Sequence, residues 1–94
     1  MKLKISNQYK KDLRRVLKSG LRLKSRKNII GNIIDNLLSG KKPEAKYRDH
    51  ALTGQWNGYR DCHIEPDLVM IYFIDADNEI LEMTRIGSHS ELFR

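Results

Sequence analysis

Ninety-four residues at 39% hydrophobic content suffice for one core and not two, so the chain reads as a single domain, 1–94. No run of about 18 apolar residues and no secretory signal occurs, which speaks against a membrane span or export and for the cytoplasm, and the lone Cys62 fits a reducing compartment. The net charge of +6 is divided between residues 1–48, with 15 Lys/Arg against 3 Asp/Glu (+12), and residues 49–94, with 3 against 9 (−6), so the first half reads as a footprint for a polyanion or an acidic protein rather than as a merely solvated face.

In chain order, Lys2 to Ser6 alternates with the period of a half-buried strand and points Leu3 and Ile5 at the core. From Asn7 the period becomes helical, with Tyr9, Leu13, Val16 and Leu17 on one face and Gly20 as the stop. A second helix starts between Leu23 and Arg26, carries Ile29, Ile30, Ile33, Ile34, Leu37 and Leu38, and ends at Ser39-Gly40, so the two helices form a hairpin. Lys41 to Gly54 has Pro43 and no sustained period and reads as a surface loop. Gln55 to Ile64, Leu68 to Ile74 and Glu79 to Ile86 are rich in branched and aromatic residues and are divided by turn residues, so they read as consecutive antiparallel strands. Gly87-Ser88 breaks the last strand, and Ser88 with Glu91 has the spacing of a capping box. The expected fold is α/β in the α+β sense, β-α-α-β-β-β, with the helical hairpin packed on a small, mostly antiparallel sheet.

The three histidines all follow Tyr47. His50 closes the long loop, His63 and Asp67 flank the end of the first C-terminal strand, and Arg85 and His89 lie at the end of the last. In a meander those two strand ends share one edge of the sheet, so the five side chains can converge. Singly, each has a plainer reading: His50 as a loop residue, Asp67 as a turn former after Pro66, Arg85 as a partner of Glu82 or Asp61. The spacings 50, 63 and 89 contain no short metal-ligand pair, and Cys62 faces away from His63, which leaves it as a small core residue rather than a ligand or nucleophile. Trp56, Tyr59, Tyr72 and Phe73 read as core, whereas Phe93 has no core assignment and is the better candidate for stacking on a base.

Three segments together, Lys46-Tyr47-Arg48-Asp49-His50-Ala51-Leu52-Thr53-Gly54, Gly58-Tyr59-Arg60-Asp61-Cys62-His63-Ile64-Glu65-Pro66-Asp67 and Arg85-Ile86-Gly87-Ser88-His89-Ser90-Glu91-Leu92-Phe93, resemble the YafQ-like branch of the RelE/ParE superfamily of bacterial toxins. The resemblance implies a RelE-like fold, cleavage of messenger RNA on the translating ribosome, and an antitoxin partner that blocks the site. It maps the family's active positions onto His50, His63, Asp67, Arg85, His89 and Phe93. RNA carries its own nucleophile, the 2′-hydroxyl, so this chemistry requires a base, an acid and a cation but no metal or other cofactor. On this reading His89 is the general acid, Asp67 or His50 the base or its orienter, Arg85 the phosphate clamp and Phe93 a stacking group, while His63 orients another member. The alternatives from other classes are a topoisomerase-binding inhibitor like the ParE branch, which needs no histidine set, and a basic nucleic-acid-binding module.

Overall fold

The computed structural model describes residues 1–18 and 22–93. Strand β1 (Lys2–Ile5) leads into helices α1 (Asn7–Lys18) and α2 (Leu23–Leu38), followed by strands β2 (His50–Ala51), β3 (Arg60–Glu65), β4 (Leu68–Asp75) and β5 (Ile80–Gly87) and a short helix α3 (His89–Leu92). The strands form one sheet in the order β1-β5-β4-β3-β2, with β1 parallel to β5 and every other pair antiparallel. The fold is therefore the expected α+β arrangement, two helices on a mostly antiparallel sheet. Gly20, the expected helix stop, lies outside the described residues.

The periodicities become packing. Tyr9 and Val16 of α1 and Ile30, Ile33 and Leu37 of α2 are buried against one face of the sheet, where they meet Cys62, Ile64, Met70, Tyr72, Leu81, Met83 and Ile86. The opposite face carries a second, smaller cluster of Val69, Ile71 and Leu92, covered by Leu52, Trp56 and Tyr59. Arg26 joins α2 to the end of β3 by a bidentate pair with Glu65 at 2.7 and 3.0 Å, and its Nη1 donates to the Val16 carbonyl at the end of α1. Among the described residues, no helix is long and apolar enough to cross a membrane.

Three expectations are corrected. Leu3 does not reach the core and is 44% exposed, because β1 is an edge strand whose neighbour on one side is β5 alone. The segment from Lys41 to Gly54 is not all loop: His50 and Ala51 pair with Asp61 and Arg60 to add a fifth strand, β2, between the second helix and the strands that follow. Two residues are too few to show a period. The Asp49 carboxylate fixes the approach to them by accepting from the Tyr72 hydroxyl and, at 2.9 Å, from Arg60 Nη2. Finally, β3 begins at Arg60 rather than Gln55, because Gly54 (φ 66°) and Gly58 (φ 94°) put left-handed backbone on either side of a 3-10 turn at Gly54–Trp56.

Candidate active site

The strand register brings the chemistry-bearing residues to one end of the sheet. His63 of β3, Val69 of β4 and Gly87 of β5 form a single cross-strand row, so the ends of β3 and β5 lie at the same edge of the sheet, one on either side of β4. At Gly87 the chain turns into α3, and a Cβ there would stand 3.0 Å from Glu91 Oε1 and 3.4 Å from Leu92. The expected capping box is formed: Ser88 Oγ accepts from the Glu91 N–H at 3.3 Å and Glu91 Oε1 accepts from the Ser88 N–H at 2.9 Å. His89 is thereby set at the first position of α3, facing the β3–β4 turn.

Asp67, in that turn, receives two bonds from His89 on one oxygen, the backbone N–H at 3.0 Å and ring Nδ1 at 2.9 Å. Both hold its carboxyl below the usual carboxylate range. Because a carboxylate only accepts, Nδ1 of His89 carries a proton and its Nε2 is turned to His63 Nε2, 3.3 Å away. The rings continue as a row. His50 stacks near His63 with centroids 6.1 Å apart, His63 and His89 are 5.3 Å apart, and Phe93, 36% exposed, follows at 6.0 Å from His89. His50 Nδ1 donates to the Arg48 carbonyl at 2.9 Å, which leaves Nε2 as its basic nitrogen.

Arg85 is placed differently. β1 covers β5 only as far as Met83, and beyond it Ser6 Oγ donates to the Thr84 carbonyl while the Asp12 carboxylate of α1 accepts from the Ile86 N–H at 3.1 Å. The same carboxylate takes Arg85 Nε at 2.7 Å and Nη2 at 3.2 Å. The partner of Arg85 is thus Asp12 rather than Glu82 or Asp61. Its Nη1 end stays uncommitted among the described residues. Cys62 is fully buried on the helix side of the sheet, where burial pushes its thiol up to about 12.

Of two further carboxylates in this network, Asp12 escaped the sequence reading and Asp61 entered it only as a candidate partner of Arg85. Asp12 falls three residues after Tyr9 and four before Val16, on the apolar stripe of α1, and an acid on such a stripe is itself the signal. Asp61 is two residues before His63 and shares its face; it is buried, and its Oδ1 lies 3.0 Å from His50 Nδ1.

The sequence profile of the family described as "Bacterial toxin of type II toxin-antitoxin system, YafQ" matches residues 1–94. The chain belongs to the YafQ family. It is 36% identical to the mRNA interferase toxin YafQ of Escherichia coli K12 over 91 residues, 97% of this chain and 94% of that protein. A metal-bound toxin from Helicobacter pylori superposes with a TM-score of 0.86 at 35% identity over 99% of both chains. The E. coli YafQ chain of a DinJ–YafQ complex does so with 0.78 at 34% identity over 98% of this chain and 97% of that one. The family and fold implied by the three motifs are borne out, and with them an enzymatic class of toxin.

In this YafQ-family chain the central histidine is tuned by its surroundings. Burial lowers the His63 pKa below 6.5, the nearby Asp61 opposes this, and His89, His50 and Arg48 lower it further. The cost of a depressed histidine builds up over the pH range where the unfolded chain is protonated and the folded chain is not, and it is full below that range. Stability from this source is therefore complete above about pH 6.5 and declines as pH falls from there through the depressed value. A proton NMR titration of the His63 ring is expected to show a midpoint below 6.5, and a midpoint above it would contradict the electrostatics described.

Proposed function

We propose that the chain is an endoribonuclease that cuts messenger RNA on the translating ribosome, in the cytoplasm and without a metal, using His50, His63, Asp67, Arg85 and His89, with Phe93 stacking on a base. The observation that carries this reading is the row of three histidines closing on His89, which is held through Nδ1 by an ionised carboxylate with Nε2 turned to His63. His50 Nε2 takes the proton of the 2′-hydroxyl, the 2′-oxygen attacks phosphorus, and the bond to the 5′-oxygen breaks as His89 protonates it, giving a 2′,3′-cyclic phosphate and a 5′-hydroxyl. Asp67, with one oxygen committed to His89, is the orienter and not the base. The Nη1 end of Arg85, uncommitted among the described residues, meets the charge that builds on the phosphate.

A cognate antitoxin that masks this site accords with the family's two-component nature and with the DinJ–YafQ complexes among its structural neighbours. The basic first half suits an acidic antitoxin segment and ribosomal RNA alike. As to metal, the paired Nε2 atoms of His63 and His89 are only two donors, and the described residues hold no group of three or more His, Cys, Asp or Glu placed for an ion.

The test is to induce the chain in cells, map new RNA 5′ ends, and repeat the cleavage in a purified translation reaction that retains Mg²⁺, with and without a chelator selective for zinc and copper. New ends within translated messages, insensitive to the chelator, are expected. Growth arrest without new ends would favour the inhibitor reading, and loss on chelation restored by zinc or copper would overturn the metal-free chemistry.

A further inference from the structure

A cavity of about 370 Å³ opens beside the histidine row, walled by Lys46, Tyr47, Arg48, His63 and Pro66 among others. That size is in the range of small-ligand sites. Three arginines elsewhere in the fold are committed to carboxylates: Arg85 to Asp12, Arg60 to Asp49, Arg26 to Glu65. Arg48 differs, being exposed and having no acidic partner among the described residues. It also sits in left-handed backbone (φ 51°, ψ 42°), a strained conformation for a residue other than glycine or asparagine, and strain of this kind concentrates at ligand sites. Its carbonyl receives His50 Nδ1, so one residue both aims a site histidine and lines the cavity.

We propose that this cavity is a subsite for one RNA nucleotide next to the cut, with Arg48 as its phosphate contact. Lys46 stands at the rim in a salt bridge with Glu44 at 3.3 Å whose partners are 67% and 65% exposed, a pairing weak enough to yield to a phosphate. Tyr47 and Pro66 supply the apolar walls on which a base rests, and Arg48 supplies the planar fork that matches phosphate oxygens. The sugar-phosphate chain then runs from this cavity past His63 to His89, along the row. This inference rests on the ribonuclease reading above.

The test uses the full chain and a 2′-O-methyl RNA trinucleotide, which lacks the nucleophile and stays intact. Amide shifts at Lys46, Tyr47, Arg48, Ile64 and Glu65 are expected. Arg48→Asn, which tolerates the left-handed backbone, should weaken binding about tenfold or more and reduce the logarithmic salt slope by about one. Arg48→Lys should keep most of the affinity. Arg48→Gly relieves the strain yet lacks the charge, so it should bind as poorly as Arg48→Asn. Wild-type affinity and salt slope in Arg48→Asn, recovery of binding in Arg48→Gly, absence of trinucleotide binding by the wild type, or shifts confined to α1 would each overturn the subsite. In the translation reaction Arg48→Asn should raise KM more than it lowers kcat. A wild type that cuts no message defeats the ribonuclease reading itself, whereas a wild type that cuts and an Arg48→Asn variant with unchanged KM defeat the subsite alone.

Discussion

His89→Ala is expected to slow messenger cleavage about a thousandfold, within the range that a positioned proton donor contributes, while the melting temperature barely moves. The side chain is 47% exposed and, among the described residues, its polar contacts are with Asp67 and His63, so its removal opens no core cavity. Asp67→Asn should fall between this variant and the wild type. Asparagine keeps an oxygen that can accept from the His89 N–H and from ring Nδ1, and it loses the negative charge that the two bonds stabilise. Single-turnover cleavage in a purified translation system, with circular dichroism melts alongside, checks both. A His89→Ala protein retaining more than about a tenth of the wild-type rate would remove His89 as the general acid and leave the row of rings without its chemical end.

How much of this was legible in the sequence depends on the length scale of the signal. The helices declare themselves because their apolar residues recur over three and four turns, β4 because its apolar run is nearly continuous, and β5 because apolar and polar residues alternate along its first half. The convergence of His63, Asp67 and His89 follows from meander topology, which needs only that three strands be adjacent. The capping box at Ser88 was readable because it is a local bond between residues three apart. His50 is another matter. It reaches the row through a two-residue strand held by Tyr72 and Arg60 acting on Asp49, contacts that span 11 and 23 positions and leave no periodic trace. The partner of Arg85 was equally hidden by separation, since Asp12 lies 73 residues away, although its place on an apolar stripe marked it as unusual. Local chemistry and long periods could be read, then, while the tertiary ties that aim the side chains could not.

Asp12→Ala is expected to cost about 3 kcal/mol of stability, because it leaves the Arg85 guanidinium and the Ile86 N–H without their acceptor at a position with no solvent access. For a chain of this size that is a fall in melting temperature of roughly 15 °C. Asp12→Asn should be nearly as damaging, since one of its two terminal atoms becomes a donor facing donors. The pH dependence identifies the tie. Burial alone would raise the Asp12 pKa, but bonds from Arg85, Gln8 and the Ile86 N–H more than offset it and hold the carboxyl below its usual value. A depressed carboxylate stabilises the fold above its unfolded pKa of about 3.9, and the benefit is lost as pH falls through the lower, folded value. Arg85→Gln removes the strongest of those bonds, so the folded pKa of Asp12 moves up toward the unfolded one, and the variant, less stable at neutral pH, should lose less stability than the wild type as pH falls through the acid range. Urea melts between pH 3 and 7 separate the two curves; coincident curves would mean that Arg85 does not set the charge state of Asp12. If they do separate, the cation assigned to the phosphate also braces the uncovered end of β5, and loss of cleavage in an Arg85 variant must be measured well above pH 4, where the variant is still folded, before it is ascribed to chemistry.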